Sequence, residues 1–330
     1  MTRRRPRPHT VRHPPRPDRR AVPAQQPHRS PTSLVAQPRP DVPYPSVLRG
    51  LQPAWHAALG IVMALGLYLL IVPLVSSSVL GLGYVLQRPA TSLSEYQAAG
   101  RRLEHPVGML ASNLGLATLT LVAAFTLYAA HRVRPRWLSS VQPGLRWRYL
   151  GLCVATAAAV FVGVLAISGS LSPGTRTPTQ PHLVAFLLII AITSPLQAAA
   201  EEYLFRGYLL QAFGSLAATP WFGVIASALL FALFHGSQNL PLFLNRFAFG
   251  LLAAVLVWRT GGLEAGIAAH TANNLLAYGS AALTGSIASL RAVDTISWAN
   301  AALDIGGFAA FTLVAILLGR GLQNRTSKTR

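Results

Sequence analysis

A chain of 330 residues with 52% hydrophobic and only 11% charged residues is too apolar for an ordinary soluble domain, where charged residues approach about a quarter. Its formal charge of +19 is gathered into three segments instead of being spread along the chain. One cysteine, Cys153, excludes an internal disulfide and a Cys-based zinc cluster.

Residues 1–50 hold eleven Arg against Asp18 and Asp41, net +9, together with half of the prolines and almost no apolar periodicity. That composition predicts a disordered, basic, Pro-rich tail that sets membrane orientation, without a specific nucleic-acid partner. No apolar core precedes residue 50, so the segment makes a poor signal peptide. Apolar runs then follow at about 54–76, 107–130, 149–168, 183–213, 221–238, 242–258, 263–282 and 299–319. They predict an all-α, polytopic membrane protein with about eight transmembrane helices. Pro73 and Ser76-Ser77-Ser78 weaken the far end of the first run, while the fourth is long enough to tilt or protrude. The chain thus divides into the tail (1–50), three helices with their loops (51–182), a core of four helices (183–282), and a last helix with a basic tail (283–330). Internal repeats are not evident.

The other two basic segments are 131–148, with five Arg, and 320–330, with Arg320, Arg325, Lys328 and Arg330. Eight spans put all three basic segments on one side, which the positive-inside rule assigns to the cytoplasm, with both termini inside. Seven or nine spans would split them.

Within this apolar background, Glu201-Glu202-Tyr203-Leu204-Phe205-Arg206 stands out, because only nine acidic residues occur in the whole chain. A charge at bilayer depth costs roughly 2.5–3.5 kcal/mol on insertion scales, so partners are expected. His235, His270 and Asn274 lie in later apolar segments. The fourth and fifth helices should form a hairpin turning near Ala217-Ala218-Thr219-Pro220, with Pro220 in the first turn of the second helix. Glu201 and His235 are equidistant from Ala218 and should sit level, on the order of 20 Å from the hairpin tip at ~1.5 Å per residue. His270 and Asn274, four apart, share a helix face with Gly266 and should reach the same layer. Glu202 and Arg206, also four apart, can pair and leave Glu201 free for chemistry. Arg246 is expected to have a structural role, Glu264 to be interfacial, and Asp304 to be a weak candidate. No chemistry is assigned to His56, His105, His131 or His182, which flank spans.

A carboxylate facing an imidazole can hold and deprotonate water, and a buried carboxylate is a better base than one in bulk water. A second His with Asn can donate to the oxyanion of a tetrahedral intermediate. Together these groups describe amide hydrolysis without a protein nucleophile. Glu201, His235 and His270 are equally an ordinary ligand set for Zn2+, and residue types alone leave both versions open. H-E-x-x-H, G-x-S-x-G and a pair of intramembrane aspartates are all absent from the sequence. A different class, a transporter or immunity scaffold using the cluster for protons or solutes, also fits intramembrane charge. The inverted repeats and broken helices typical of transporters are not seen.

Three motifs in order carry a resemblance: Glu201-Glu202 with Arg206, Phe231 with His235, and His270 with Asn274. With the run from Phe249-Gly250 through Arg259-Thr260-Gly261-Gly262-Leu263, residues 185–280 resemble the CPBP intramembrane protease family, the CAAX prenyl protease or Abi type. The resemblance implies eight helices around a membrane-embedded, cytoplasm-facing cavity. It also implies Glu201 and His235 as the water-activating pair, His270 and Asn274 as oxyanion donors, and Glu202 and Arg206 as supports. The family has been labelled both metalloprotease and glutamate-based. The metal-free version is favoured here, since a Glu–His pair holding water needs no further ligand, and no cofactor is required. Strong use of Arg over Lys suggests a bacterial plasma membrane, so the expected partners are the lipid bilayer and a membrane-bound or lipophilic peptide substrate.

Overall fold

The computed structural model describes residues 35–38, 42–142, 144–171 and 180–328, the side chains of 170, 171 and 321–328 excepted. Residues 1–34 and 39–41 of the expected tail lie outside the described residues, as does Arg330 of the basic C-terminal tail. Where the tail is described, residues 42–50 are packed in place. Tyr44–Ser46 form a 3-10 turn, and Tyr44, Val47 and Leu48 are buried. Arg49 donates to the carbonyls of Gly214, Ala217 and Ala218. Those carbonyls end a helix and lack intrahelical donors, which is why a cation docks there.

Helices follow in chain order: α1 (Ala54–Gln87), α2 (Leu93–Arg101), α3 (Pro106–Ala117), α4 (Leu119–His131), α5 (Arg136–Ser139), α6 (Trp147–Leu171) and α7 (Leu183–Glu202). A π-helical segment, Tyr203–Leu209, leads directly into α8 (Leu210–Leu216). Then come α9 (Pro220–Leu233), α10 (Leu240–Thr260), α11 (Glu264–Thr284), α12 (Ile287–Arg291) and α13 (Trp298–Lys328). No strand occurs among the described residues; β pairing there is confined to isolated bridges.

Among the described residues, six helical stretches are long and apolar enough to cross a membrane: Ala54–Gln87, Pro106–His131, Trp147–Gly169, Leu183–Leu216, Leu240–Thr260 and Trp298–Arg320. The expectation of about eight is therefore met only in part. The helix α9 has 14 residues, about 21 Å, short of a hydrocarbon core of about 30 Å. The helix α11 has 21 residues but carries Glu264, His270, Asn273 and Asn274, which dilute its apolarity. Leu69, Leu70, Val184, Leu188 and Ile192 are exposed on the spanning helices, an apolar exterior suited to lipid. The protein is an integral membrane protein.

The first span runs further than its sequence suggested. Helix α1 continues through Pro73 to Gln87 and stops at Arg88 in the left-handed conformation. Its 34 residues, about 51 Å, exceed the bilayer core and must tilt or protrude. The hairpin turn lies where expected: α8 ends at Leu216, and Thr219 caps α9 by accepting from the Trp221 amide.

Helix α7 packs between α3 and α11, while α10 packs between α9 and α13. Two ends of the bundle can be told apart by their connections. At one end, residues 139–146 dock on the α10–α11 turn: Val141 donates to Gly261 O, and Leu263 to Ser139 O. At the other end, Asn239 before α10 binds the Asp294 and Ile296 carbonyls ahead of α13. The α1–α3 connection and α12 belong to this second end by the alternation of the helices.

Candidate active site

The π-helical segment begins immediately after Glu202 and contains Arg206. Such segments are rare and often lie at functional sites, because one wider turn rotates the residues on either side of it. The sequence gave no sign of it. The Glu202–Arg206 pairing survives the wider turn, with Arg206 Nη1 donating to Glu202 Oε1 at 2.9 Å and both side chains fully buried. The guanidinium also lies 4.0 Å from the Phe231 ring and 5.2 Å from the Phe249 ring, a cation–π seat that replaces part of its lost hydration. This gives Phe231 and Phe249 a physical role beside the charged pair.

Glu202 does more than hold Arg206. The same Oε1 accepts from His270 Nδ1 at 2.9 Å, which fixes the ring and turns Nε2 the other way. Nε2 stands 3.5 Å from Glu201 Oε2. That separation is too long for a good hydrogen bond, so it leaves the Glu201 carboxylate available to a third group. Helix α11 reaches Glu202 this closely because residue 266 is glycine: a Cβ there would meet Glu202 Oε2 at 2.8 Å.

Asn274, one turn beyond His270, donates to Gln197 Oε1 at 2.8 Å. Gln197 lies one turn before Glu201 on the same face of α7 and was not singled out from the sequence. A lone Gln in an apolar run at that spacing was the available signal. Asn113 of α3 was missed for the same reason; its amide donates to Thr193 and Ser194 at 2.7 and 3.2 Å.

His235 was expected inside the fifth span but lies just beyond it. Helix α9 ends at Leu233, and Gly236 adopts φ +81°, a left-handed conformation that breaks the helix. Its Nδ1 donates to the Phe231 carbonyl at 2.6 Å, satisfying an orphan acceptor of the last helical turn. With the proton on Nδ1, Nε2 presents a lone pair. Arg246 holds this turn by donating to the His235 carbonyl (3.2 Å) and to Gln238 (3.0 Å), the structural role expected of it.

Glu201, His235, His270 and Asn274 all line one cavity of about 400 Å³, together with Gln197, Asn113, Tyr68 and Tyr278. The structure thus brings the four expected residues to the wall of one cavity. Glu201 is 8% exposed and His270 4%, so both sit in the wall rather than in bulk solvent. The arrangement can hold a small polar molecule between an acid, two imidazoles and a carboxamide, and can move a proton among them.

Other polar groups go elsewhere. Glu264 is fully buried at the start of α11: it accepts from the Arg146 amide and Nε at 2.9 Å and from Nη2 at 2.6 Å. Asp304 accepts from Asn245 at 3.1 Å and is absent from the cavity wall. His105 caps α3, and buried His131 contacts Tyr208. Among the described residues, no three His, Cys, Asp or Glu side chains gather so as to hold a metal ion.

The cavity also bears on two expectations. Its wall runs to exposed Arg101 and Arg291, at the end of the bundle opposite residues 131–148. A cytoplasmic basic segment and a cytoplasm-facing cavity consequently exclude each other.

Fold and site together define a polytopic helical membrane protein with an acid–imidazole cavity among its spans. The family described as type II CAAX prenyl endopeptidase Rce1-like matches residues 181–276, which contain every one of the four cavity residues. An Escherichia coli "Uncharacterized 24.3 kDa protein" is 31% identical over 168 residues, 47% of this chain and 73% of that one. "Uncharacterized protein YyaK" of Bacillus subtilis is 28% identical over 140 residues, 40% of this chain; the chain spans only 47% of that relative's length. No solved structure matches. The chain belongs to the Rce1-like family, a family of membrane proteases.

Proposed function

We propose that the protein is an intramembrane endopeptidase that hydrolyses a peptide bond in a lipophilic or membrane-anchored peptide. One observation carries the reading: Glu201, His235, His270 and Asn274, from three separate parts of the chain, converge on one cavity.

Glu201 and the His235 Nε2 lone pair hold a water between them. Glu201 takes a proton from it as the oxygen attacks the carbonyl carbon. The carbonyl oxygen becomes an oxyanion, stabilised by the Asn274 carboxamide and by His270, which donates from Nε2 while Glu202 holds its Nδ1–H, both ring nitrogens carrying protons in this step. The proton held by Glu201 passes to the amide nitrogen, the C–N bond breaks, and the acid and amine products leave. No bond to the protein forms. Glu202, Arg206 and Gln197 are positioning residues: the first two fix the His270 ring and the third fixes the Asn274 carboxamide.

The orientation follows from charge. The basic segments face the cytoplasm of a bacterial plasma membrane, both termini inside, which puts the mouth of the cavity on the extracytoplasmic side. Quantitative proteomics of membrane peptides in a wild-type strain against a Glu201→Gln strain tests the activity. Specific fragments should vanish in the mutant while the intact precursors accumulate. Identical peptide profiles in both strains would refute the reading.

A further inference from the structure

A second cavity, about 580 Å³, adjoins the catalytic one and shares Arg101, His235 and Arg291 with it. Arg102 and Arg246 complete a set of four guanidinium groups, faced only by Glu104 and Asp294. Glu104 is committed to Arg102, 2.5 Å away, and Arg246 to the His235 turn. Arg101 and Arg291 are exposed, and among the described residues neither pairs with a carboxylate. Both stand where the two cavities meet. Each is the basic residue in the last turn of a short helix, Arg101 in α2 and Arg291 in α12, where a cation suits the helix dipole while its guanidinium lines the vestibule. A guanidinium fork matches a carboxylate in geometry and charge. The polar side chains of Ser237 and Ser289 line the same vestibule.

We propose that this vestibule is a docking site for carboxylates of the peptide substrate, gripped by Arg101 and Arg291 while the adjoining bond lies against Glu201 and His235. The substrate is accordingly acidic on one flank of the scissile bond, and presents that flank at the membrane face opposite residues 131–148. A peptide suits the site better than a lipid headgroup, because only a chain running through both cavities uses their shared wall. The inference deepens the protease reading and rests on it for its consequence, though the binding itself does not need turnover.

The test measures binding of two labelled, amidated peptides to full-length Glu201→Gln protein in phosphatidylcholine nanodiscs. One peptide has an apolar stretch flanked by three glutamates, the other by three glutamines. The acidic peptide should bind about fivefold tighter or more at low salt, as expected for one or two exposed ion pairs. Arg101→Gln combined with Arg291→Gln should erase the difference, and Arg291→Lys should keep part of it. Salt at about 0.5 M, where screening shortens to a few ångströms, should erase it in protein with both arginines intact, an arm that needs no foldable variant. Equal binding of the two peptides, or a preference that survives the double substitution, overturns the proposal. An arginine-dependent response to phosphatidylglycerol without discrimination between the peptides would assign the site to lipid and overturn it as well. If wild-type and Glu201→Gln strains give identical membrane-peptide profiles yet the arginine-dependent preference holds, the protease reading fails and the vestibule stands.

Discussion

Two buried carboxylate–arginine pairs serve this molecule differently. Glu264 and Arg146 saturate each other: both carboxylate oxygens accept, the Arg146 amide joins in, and Nη1 takes the Thr260 carbonyl at 2.8 Å. That pair is a fastening between the 139–146 segment and the start of α11. Glu202 and Arg206 share a single hydrogen bond, and Glu202 Oε2 with Arg206 Nε and Nη2 has no hydrogen-bond partner among the described residues. Buried polar atoms left in this state are uncommon and cluster where function constrains the packing. The remaining capacity of Glu202 goes to His270, in the cavity wall. Saturation marks a structural pair, and a shared oxygen that reaches an imidazole marks a working one.

Substitutions can break this contrast. Glu202→Gln should affect both stability and turnover, since removing one partner of a fully buried pair costs about 3–5 kcal/mol and releases the His270 ring. Thermal unfolding of purified protein and peptide hydrolysis read the two effects separately. Arg146→Gln should cost about 1.5–3 kcal/mol, the range for hydrogen bonds to charged groups, and leave kcat unchanged. A Glu202→Gln enzyme with wild-type kcat, or an Arg146→Gln enzyme that folds normally but is inactive, would invert the assignment. Gly266→Ala sharpens the same point, because its methyl group would meet Glu202 Oε2 at 2.8 Å and displace the carboxylate whose Oε1 holds His270. It should lower turnover at an overpacking cost of about 1–3 kcal/mol.

The difference between the two ends of the bundle has the mildest test. Cys153, the sole cysteine, is fully buried, so engineered thiols report alone. Ser289→Cys at the cavity mouth should react with a membrane-impermeant maleimide in intact cells. Gln142→Cys, on the basic end, should react only after lysis. The reverse pattern would place the mouth in the cytoplasm.

Much of the site was legible because charge inside apolar helices is expensive and therefore conspicuous. Spacing from the 217–220 turn put Glu201 and His235 at one level, and four-residue periodicity put His270 with Asn274. Three features were not legible. The π-helical turn at Tyr203–Leu209 depends on tertiary packing, not on any residue type in it. The ion pair of Glu264 is the second, since only the fold brings Arg146, more than a hundred positions away, onto it. Of about eight expected spans, six are long and apolar enough among the described residues, because polar residues lower the apolarity of α11 and α9 ends at Leu233.

The central claim is that the Glu201 carboxylate activates water in this cavity, and single-turnover hydrolysis by reconstituted protein addresses it most directly. With a peptide that the wild-type enzyme cleaves, Glu201→Gln should slow the chemical step by about 10²–10⁴-fold while peptide binding and unfolding temperature hold. Wild-type rates from the Glu201→Gln protein would contradict the account.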